Sequence, residues 1–134
     1  MMARTLFQAG VGVLMAGLLA VTACDEDPVQ PGIVVDGNVD VEVRDNVFVP
    51  DTARIPMGGS VIWRWAGSNP HNVVSVLSPQ FAFSTDTMRT GTHGPVTFGV
   101  VGTYRYICSV HGAVSADSSG TTGMSGVVVV TQEQ

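Results

Sequence analysis

The chain has 134 residues, of which 45% are hydrophobic, and a formal net charge of −5 at pH 7. This length suits one domain rather than two. The acidic balance excludes nucleic acid as a partner and favours a basic partner or a basic surface patch.

The first residues are typical of an export signal. Arg4 precedes an apolar stretch over roughly residues 9–21, which is shorter than the ~20 residues that a membrane-spanning helix needs. The stretch ends in Val21-Thr22-Ala23-Cys24, which resembles the lipobox of bacterial lipoproteins, where the cysteine is lipidated and becomes the mature N-terminus. We predict a lipoprotein signal peptide over residues 1–23 and lipidation of Cys24. The alternative is an ordinary signal peptide with a chance cysteine.

A polar segment separates this signal from the rest of the chain. Residues 24–36 are acidic, carry two prolines and lack an apolar period, so we predict a lipidated N-terminus with a flexible acidic tether. Residues 37–134 then form the folded domain, which is long enough for one small core.

The folded domain consists of short alternating segments broken by glycine, proline, asparagine and aspartate. The predicted strands cover roughly residues 39–44, 52–55, 61–66, 73–77, 96–101, 103–107 and 127–130. In the third strand Val61, Trp63 and Trp65 share one face, so the two tryptophans are predicted to lie in the core or at its rim. The absence of a convincing 3.6-residue period predicts an all-β sandwich of about seven or eight strands.

Two segments between these strands need their own interpretation. Residues 81–88 have room for one irregular turn of helix. Residues 115–122 are rich in serine, glycine and threonine, and we expect them to form a mobile surface loop because nothing in them can join a core.

The cysteine of the folded domain carries the strongest chemical signal. Cys108 has no disulfide partner if Cys24 is lipidated, and a free thiol in an exported protein is open to oxidation unless a bound metal protects it. Alternation along the preceding strand places Tyr104, Tyr106 and Cys108 on one inward face. His111 follows three residues later, in a predicted turn.

Three further positions complete a candidate metal site. His71 begins the strand predicted over residues 73–77, and Met124 opens the last strand. Together with Cys108 and His111 they provide a thiolate, two imidazoles and a thioether. Soft sulfur ligands suit Cu(I), while imidazole serves both Cu(I) and Cu(II). The set therefore predicts one copper ion that exchanges a single electron.

Longer stretches of the chain resemble the small type 1, or blue, copper proteins of the plastocyanin, amicyanin and halocyanin group. The resemblance extends over roughly residues 39–131. It includes Phe48-Val49-Pro50, Gly58-Gly59-Ser60-Val61-Ile62-Trp63, Pro70-His71-Asn72-Val73-Val74, Gly102-Thr103-Tyr104-Arg105-Tyr106-Ile107-Cys108-Ser109-Val110-His111-Gly112 and Gly123-Met124-Ser125-Gly126-Val127-Val128-Val129.

The resemblance implies a fold and a role for each site residue. It implies a cupredoxin-like Greek-key β-sandwich with His71, Cys108 and His111 as equatorial copper ligands and Met124 as the axial one. Asn72 matches the family residue whose backbone amide hydrogen-bonds the cysteine sulfur, a contact that tunes the reduction potential. If Met124 only packs under the last strand, a backbone oxygen or a water takes the axial place.

The same resemblance implies a non-enzymatic electron carrier. Electrons would leave through the ring edge of His111, with residues 112–114 forming an apolar patch around it. The expected partners are redox proteins such as c-type cytochromes, oxidases or reductases, bound transiently. We expect a monomer held by Cys24 at the extracytoplasmic, periplasmic face of a membrane.

The chain departs from the family at two places. Twelve residues, Gly112 to Gly123, separate His111 from Met124, whereas the family usually has a shorter segment. Trp65 stands where the family often has asparagine.

Three other functions fit this sequence less well. A copper-delivery lipoprotein would favour clustered methionines, and those of the folded domain do not cluster. Binuclear and multicopper oxidases need a second cysteine or more than the three histidines present. A metal-free structural module would have no use for a complete ligand set. The third histidine, His93, is predicted to be a solvated turn residue, and Met57 and Met88 are predicted to be packing residues and not ligands.

Overall fold

A computed structural model describes residues 37–79 and 81–132. The predicted signal peptide, the predicted lipidation site Cys24 and the predicted tether lie outside the described residues. The strands, in chain order, are β1 (Asn38–Arg44), β2 (Val47–Val49), β3 (Thr52–Pro56), β4 (Ser60–Trp65), β5 (Val74–Val76), β6 (Gly91–Thr97), β7 (Gly102–Val114) and β8 (Thr121–Thr131). Within this part of the chain no helix is long and apolar enough to cross a membrane.

Eight strands form two four-stranded sheets, which confirms the predicted all-β sandwich. The strand orders are β2-β1-β4-β6 and β3-β8-β7-β5. β1 pairs with β4 and β3 with β8 in parallel, while the other neighbours are antiparallel. The two parallel pairs show that the chain crosses between the sheets rather than folding as a simple series of hairpins.

The core lies between the sheets and follows the alternation of the sequence. In β4, Val61, Trp63 and Trp65 are buried while Arg64 is exposed, which confirms the predicted face and places both tryptophans in the core. In β7 the side chains of Tyr104, Tyr106 and Cys108 are buried together. The inward face of β7 therefore leads directly from the core to the candidate site.

The sixth strand lies earlier in the chain than predicted. β6 occupies Gly91–Thr97, so the strand predicted over residues 96–101 is wrong in position, and Phe98 to Val101 form the connection to β7. β6 contains two glycines and a proline, which weaken the sequence signal for a strand. Its place at the edge of its sheet explains why proline is tolerated there.

The segment predicted to hold a helical turn is extended instead. Residues 81–88 run beside β5 and the chain before it, with isolated bridges from Ser84 to Val74 and from Met88 to His71. The half-buried side chains of Phe81, Phe83 and Met88 pack against the core. The predicted packing of Met88 is thus confirmed, whereas Met57 is 51% exposed and does not pack as predicted.

Candidate metal centre

The candidate ligands of the last two strands meet where β7 and β8 fall out of register. Their regular pairing stops at Ile107 and resumes where Gly112 faces Gly123. Over this interval β7 has the four residues 108–111, whereas β8 has Met124 alone. The bulge therefore places two candidate ligands of β7 against the candidate ligand of β8. The sequence predicts His111 in a turn, but the structure places it within β7.

The twelve residues between His111 and Met124 form the outer part of the same hairpin. Gly112 and Gly123 face each other at its base, which we call the neck. A Cβ atom on Gly112 would overlap the Met124 carbonyl oxygen, and one on Gly123, where φ is +69°, would overlap the His111 carbonyl oxygen. Because both positions are glycine, the two strands cross closely at the neck, and the backbones next to His111 and Met124 stay in contact despite the insertion.

Residues 115–120 form the surface turn at the tip of the hairpin, so the predicted loop is shorter than the range 115–122. Thr121 and Thr122 belong to β8, and the Asp117 carboxylate accepts hydrogen bonds from the Ser119 hydroxyl and amide and from the Ser115 hydroxyl. These bonds, led by the Ser119 hydroxyl, lower the pKa of Asp117 from 3.8 to about 2. The stability that they contribute is therefore present above pH 3.8 and is lost as the pH falls towards 2.

Three ligand atoms form a compact triangle. The Cys108 sulfur lies 3.7 Å from His71 Nδ1 and 3.6 Å from His111 Nδ1, and the two nitrogens are 3.1 Å apart. The circle through these atoms has a radius of about 2.0 Å, close to the ~2.0–2.1 Å metal–nitrogen and ~2.3 Å metal–sulfur distances of zinc sites in proteins. A single metal ion fits at its centre.

The fourth candidate, Met124, is buried beside this triangle. Its side chain is 1% exposed and belongs to the same core cluster as Cys108. The Met124 backbone lies directly against Gly112, the residue after His111. A buried thioether is thus available on the strand paired with the one that carries Cys108 and His111.

The backbone of His71 is held on two sides. Its amide donates to the Met88 carbonyl and its carbonyl accepts from the Met88 amide, both at 2.9 Å. The same carbonyl accepts a 2.9 Å hydrogen bond from the indole N–H of Trp65, which is buried. Trp65, where the family often has asparagine, therefore fixes the segment that carries His71.

The ring of His71 is oriented by Asp45, a residue that the sequence did not indicate. His71 Nε2 lies 3.2 Å from the Asp45 carboxylate, and the ring is fully buried. A carboxylate can only accept, so Nε2 carries the hydrogen and Nδ1 keeps its lone pair directed at the triangle. The backbone amides of Asn69 and Ser68 hold the carboxylate in place and lower the pKa of Asp45, with a smaller contribution from His71.

Asn72 joins the His71 segment to β7. Its carboxamide donates to the Ser109 hydroxyl and accepts from the Ser109 amide, both at 2.8 Å. The bond from the Asn72 backbone amide to the Cys108 sulfur, which the resemblance implied, is not among the hydrogen bonds of the described residues. Instead, the Asn72 side chain links the His71 segment to β7 through its two hydrogen bonds with Ser109.

The candidate ligands differ in their access to solvent. Cys108 and His71 are fully buried, while His111 is exposed. His93 is apart from all of them: it lies in β6, half-buried beside Trp63 at a ring distance of 6.1 Å. The prediction of a solvated turn for His93 is wrong because the edge strand β6 extends through that segment.

Comparison with known proteins agrees with this geometry. A family model described as copper binding proteins of the plastocyanin/azurin family matches residues 35–131. The chain belongs to this family. The arrangement of His71, Cys108, His111 and Met124 fits a single type 1 copper site.

Individual members of the family show how far the similarity extends. The chain is 34% identical to halocyanin from Natronomonas pharaonis over 85 residues, which are 62% of this chain and 47% of halocyanin. The chain thus matches about half the length of that relative. Its fold is similar to a reduced Cu(I) form of an amicyanin variant, with a TM-score of 0.55 and 26% identity over 73% of this chain and 86% of amicyanin.

A copper-containing nitrite reductase from Thermus scotoductus also has this fold. Its TM-score is 0.55 at 22% identity, and the match covers 78% of this chain but 26% of the reductase. This likeness shows the fold alone.

Replacing the orienting carboxylate tests its contact with His71. Asp45→Asn keeps a side-chain oxygen for the Ser68 and Asn69 amides but removes the negative charge beside the imidazole. We expect a higher reduction potential, because that charge favours Cu(II), and about a 10- to 100-fold loss of copper affinity. Potentiometry and competition with a copper chelator measure the two effects. Asp117→Asn is the matched control, and equal results for the two variants would contradict the orienting role.

Proposed function

We propose that the protein carries single electrons by means of one type 1 copper ion. His71, Cys108 and His111 are the equatorial ligands in this proposal, and Met124 is the axial ligand. The observation that carries it is the triangle of one sulfur and two nitrogen atoms, 3.1 to 3.7 Å apart, in a chain of the copper-binding family.

The rigidity of the site suits this role. A bound copper ion supplies a one-electron couple between Cu(II) and Cu(I), and soft sulfur with imidazole accommodates both states. Cys108 is held by β7, and the His71 segment is tied to β7 through Asn72 and Ser109. Ligands fixed from several sides move little when the charge changes, which keeps the reorganisation energy of electron transfer low.

His111 is the proposed exit for the electron. It is the exposed member of the triangle, and exposed Ala113 and half-buried Gly112 and Val114 lie next to it on β7. These small uncharged residues would let a partner approach the imidazole edge closely. We propose that the partners are redox proteins such as c-type cytochromes, oxidases or reductases, and that the contacts are small and short-lived.

Burial of the site supports electron transfer over copper delivery and over enzymatic activity. Cys108 and His71 are fully buried, so an ion on them would exchange slowly. A reductase or oxidase needs room for a substrate beside its metal, whereas Met124, the fourth candidate ligand, is buried like Cys108 and His71. We therefore propose that the protein is not an enzyme.

The proposed location is the extracytoplasmic side of a membrane. The export signal and the lipobox-like sequence before Cys24 support a lipid anchor. A monomer attached in this way would meet periplasmic or membrane-bound redox partners by diffusion.

A visible spectrum tests the proposed function most directly. Purified, copper-loaded and oxidised protein is expected to absorb intensely in the visible region, because a cysteine thiolate transfers charge to Cu(II). Titration with copper should saturate at one ion per chain. A colourless oxidised sample with bound copper would overturn the type 1 assignment.

The axial position is tested by Met124→Leu. Leucine keeps the volume of the buried side chain but removes the thioether, so we expect the colour to persist and the reduction potential to change. Voltammetry and the visible spectrum are the measurements, and Met88→Leu is the matched control. An unchanged potential in Met124→Leu would remove Met124 from the site.

A further inference from the structure

Three segments meet at the end of the sandwich farthest from the site: the chain at Gly37, the turn at residues 58–60 and the chain at Phe98. The Ser60 amide donates to the Gly37 carbonyl at 2.8 Å, and Gly58 and Gly59 exchange hydrogen bonds with Phe98 at 2.8 and 2.9 Å. Gly37 is the first residue that the structure describes. The chain that follows Cys24 therefore enters the domain at this end, which we call the entry pole.

The entry pole and the candidate metal centre lie at opposite ends of the same strands. β1 begins next to Gly37 and ends next to Asp45, which contacts His71. Eight steps along the strand, at about 3.3 Å each, lead from Gly37 to Asp45, or roughly 26 Å. β7 also runs from the entry pole to the metal centre, because Gly102 lies at the entry pole and Cys108 is six residues further along the strand.

Large apolar side chains are exposed mainly at the entry pole. Six such residues are exposed in the described part of the chain, and four of them lie at this pole: Met57 (51%), Leu77 (42%), Val100 (67%) and Val101 (45%). Three of the four line a pocket of about 380 Å³ that is backed by the rings of Phe81 and Tyr104. Clustered apolar groups of this kind mark an interaction surface, whereas single exposed ones do not.

Three described segments that form this pole have no charged side chains. Residues 56–60, 76–79 and 97–104 include no aspartate, glutamate, lysine or arginine, although the chain as a whole carries a net charge of −5. An acidic protein would be repelled by anionic headgroups if its charged faces approached them. A surface formed by these apolar segments can approach a lipid surface without that penalty.

We propose that the entry pole rests on the lipid bilayer, with Leu77, Val100 and Val101 in the headgroup boundary and His111 directed away from the membrane. The proposal rests on the lipid anchor at Cys24. The twelve residues between Cys24 and Gly37 reach about 40 Å when extended, so the anchor alone would allow either end to touch the bilayer. The apolar pole selects one orientation and leaves the His111 edge open to partners in the aqueous phase.

The orientation can be measured on the full acylated chain in phosphatidylcholine–phosphatidylglycerol nanodiscs. With the copper reduced, lipids that carry a headgroup spin label should broaden the NMR signals of Val100, Val101 and Leu77 until they are lost. The signal of Val110, which is 58% exposed next to His111, should persist. Equal or greater loss at Val110 would overturn the proposal.

Matched variants distinguish the effect of the lipid anchor from the effect of the apolar surface at the entry pole. Val100→Ser with Val101→Ser should stay bound to the nanodiscs but lose the selective broadening at Leu77, whereas Val110→Ser should behave as the wild type. All three valines are exposed, so these changes cost the fold little. Selective broadening that survives in the double variant would contradict the proposal.

Two other outcomes would also overturn it. Mass spectrometry that finds no acyl chain on Cys24 removes the anchor, while the visible spectrum of the same sample still decides the electron-carrier function. Sedimentation that shows a dimer in the absence of lipid, with signal changes at Val100, would assign the entry pole to a second copy of the chain.

Discussion

Cys108→Ser is expected to abolish the intense visible absorption of the oxidised, copper-loaded protein. The thiolate is the one soft anionic donor in the triangle, and a serine hydroxyl neither ionises near neutral pH nor transfers charge to copper in the visible region. Loss of a direct ligand should also lower copper affinity by more than the about 10- to 100-fold that loss of an outer partner costs. Absorption spectra and competition with a copper chelator measure both effects.

The other cysteine of the chain provides a matched control. Cys24→Ser removes a thiol of the same kind outside the folded domain, so the colour should remain while attachment to membranes is lost. Circular dichroism of metal-free Cys108→Ser should show an intact β-sandwich, because serine is close to cysteine in volume. Colour that persists in Cys108→Ser, or disappears in Cys24→Ser, would contradict the assignment of the sulfur ligand.

The parts of the fold that the sequence predicts are those in which alternation and burial coincide. β4 is an example, since Val61, Trp63 and Trp65 are both periodic and buried. The valines at positions 100 and 101 gave a false strand signal because they are exposed at the entry pole instead of paired in a sheet. An apolar run alone does not distinguish a core strand from an apolar surface.

The candidate site shows a similar division. His71, Cys108 and His111 could be named from local motifs. Asp45 could not, because it lies 26 residues before His71 and reaches it only through the parallel pairing of β1 with β4. A polar residue in the turn after a strand carries no local sign of such a contact.

The structure of the hairpin insertion could not be predicted from the local sequence either. Serine and threonine suggest a loop, yet the pairing of Ala113 with Thr122 and of Val114 with Thr121 extends the strands on both sides. The deciding feature is the close approach at the neck, which two isolated glycines allow and which no periodicity marks. Because the strands meet closely at the neck, the twelve-residue insertion is compatible with ligand distances in the triangle that suit a single metal ion.

Gly112→Ala should disturb the metal centre as well as the fold. The new Cβ would overlap the Met124 carbonyl oxygen, which is backbone and cannot turn aside as a flexible side chain can. The strands must then separate between His111 and Met124, at a cost of about 1–3 kcal/mol in the free energy of unfolding. We expect a lower melting temperature of the metal-free protein and, in the copper-loaded protein, a shifted visible spectrum and reduction potential.

Gly120→Ala is the matched control at the tip of the same hairpin. A Cβ there would lie 3.9 Å from the Ser115 hydroxyl, which is ordinary van der Waals contact. It should leave the spectrum and the potential unchanged, because the tip is separated from the metal centre by the neck. The same spectrum and the same melting temperature for Gly112→Ala and Gly120→Ala would contradict this role of the neck. The close contact of the two strands at Gly112 would then not determine the distance between His111 and Met124. A spectral shift confined to Gly112→Ala would instead show that the insertion preserves the site only because two glycines close its base.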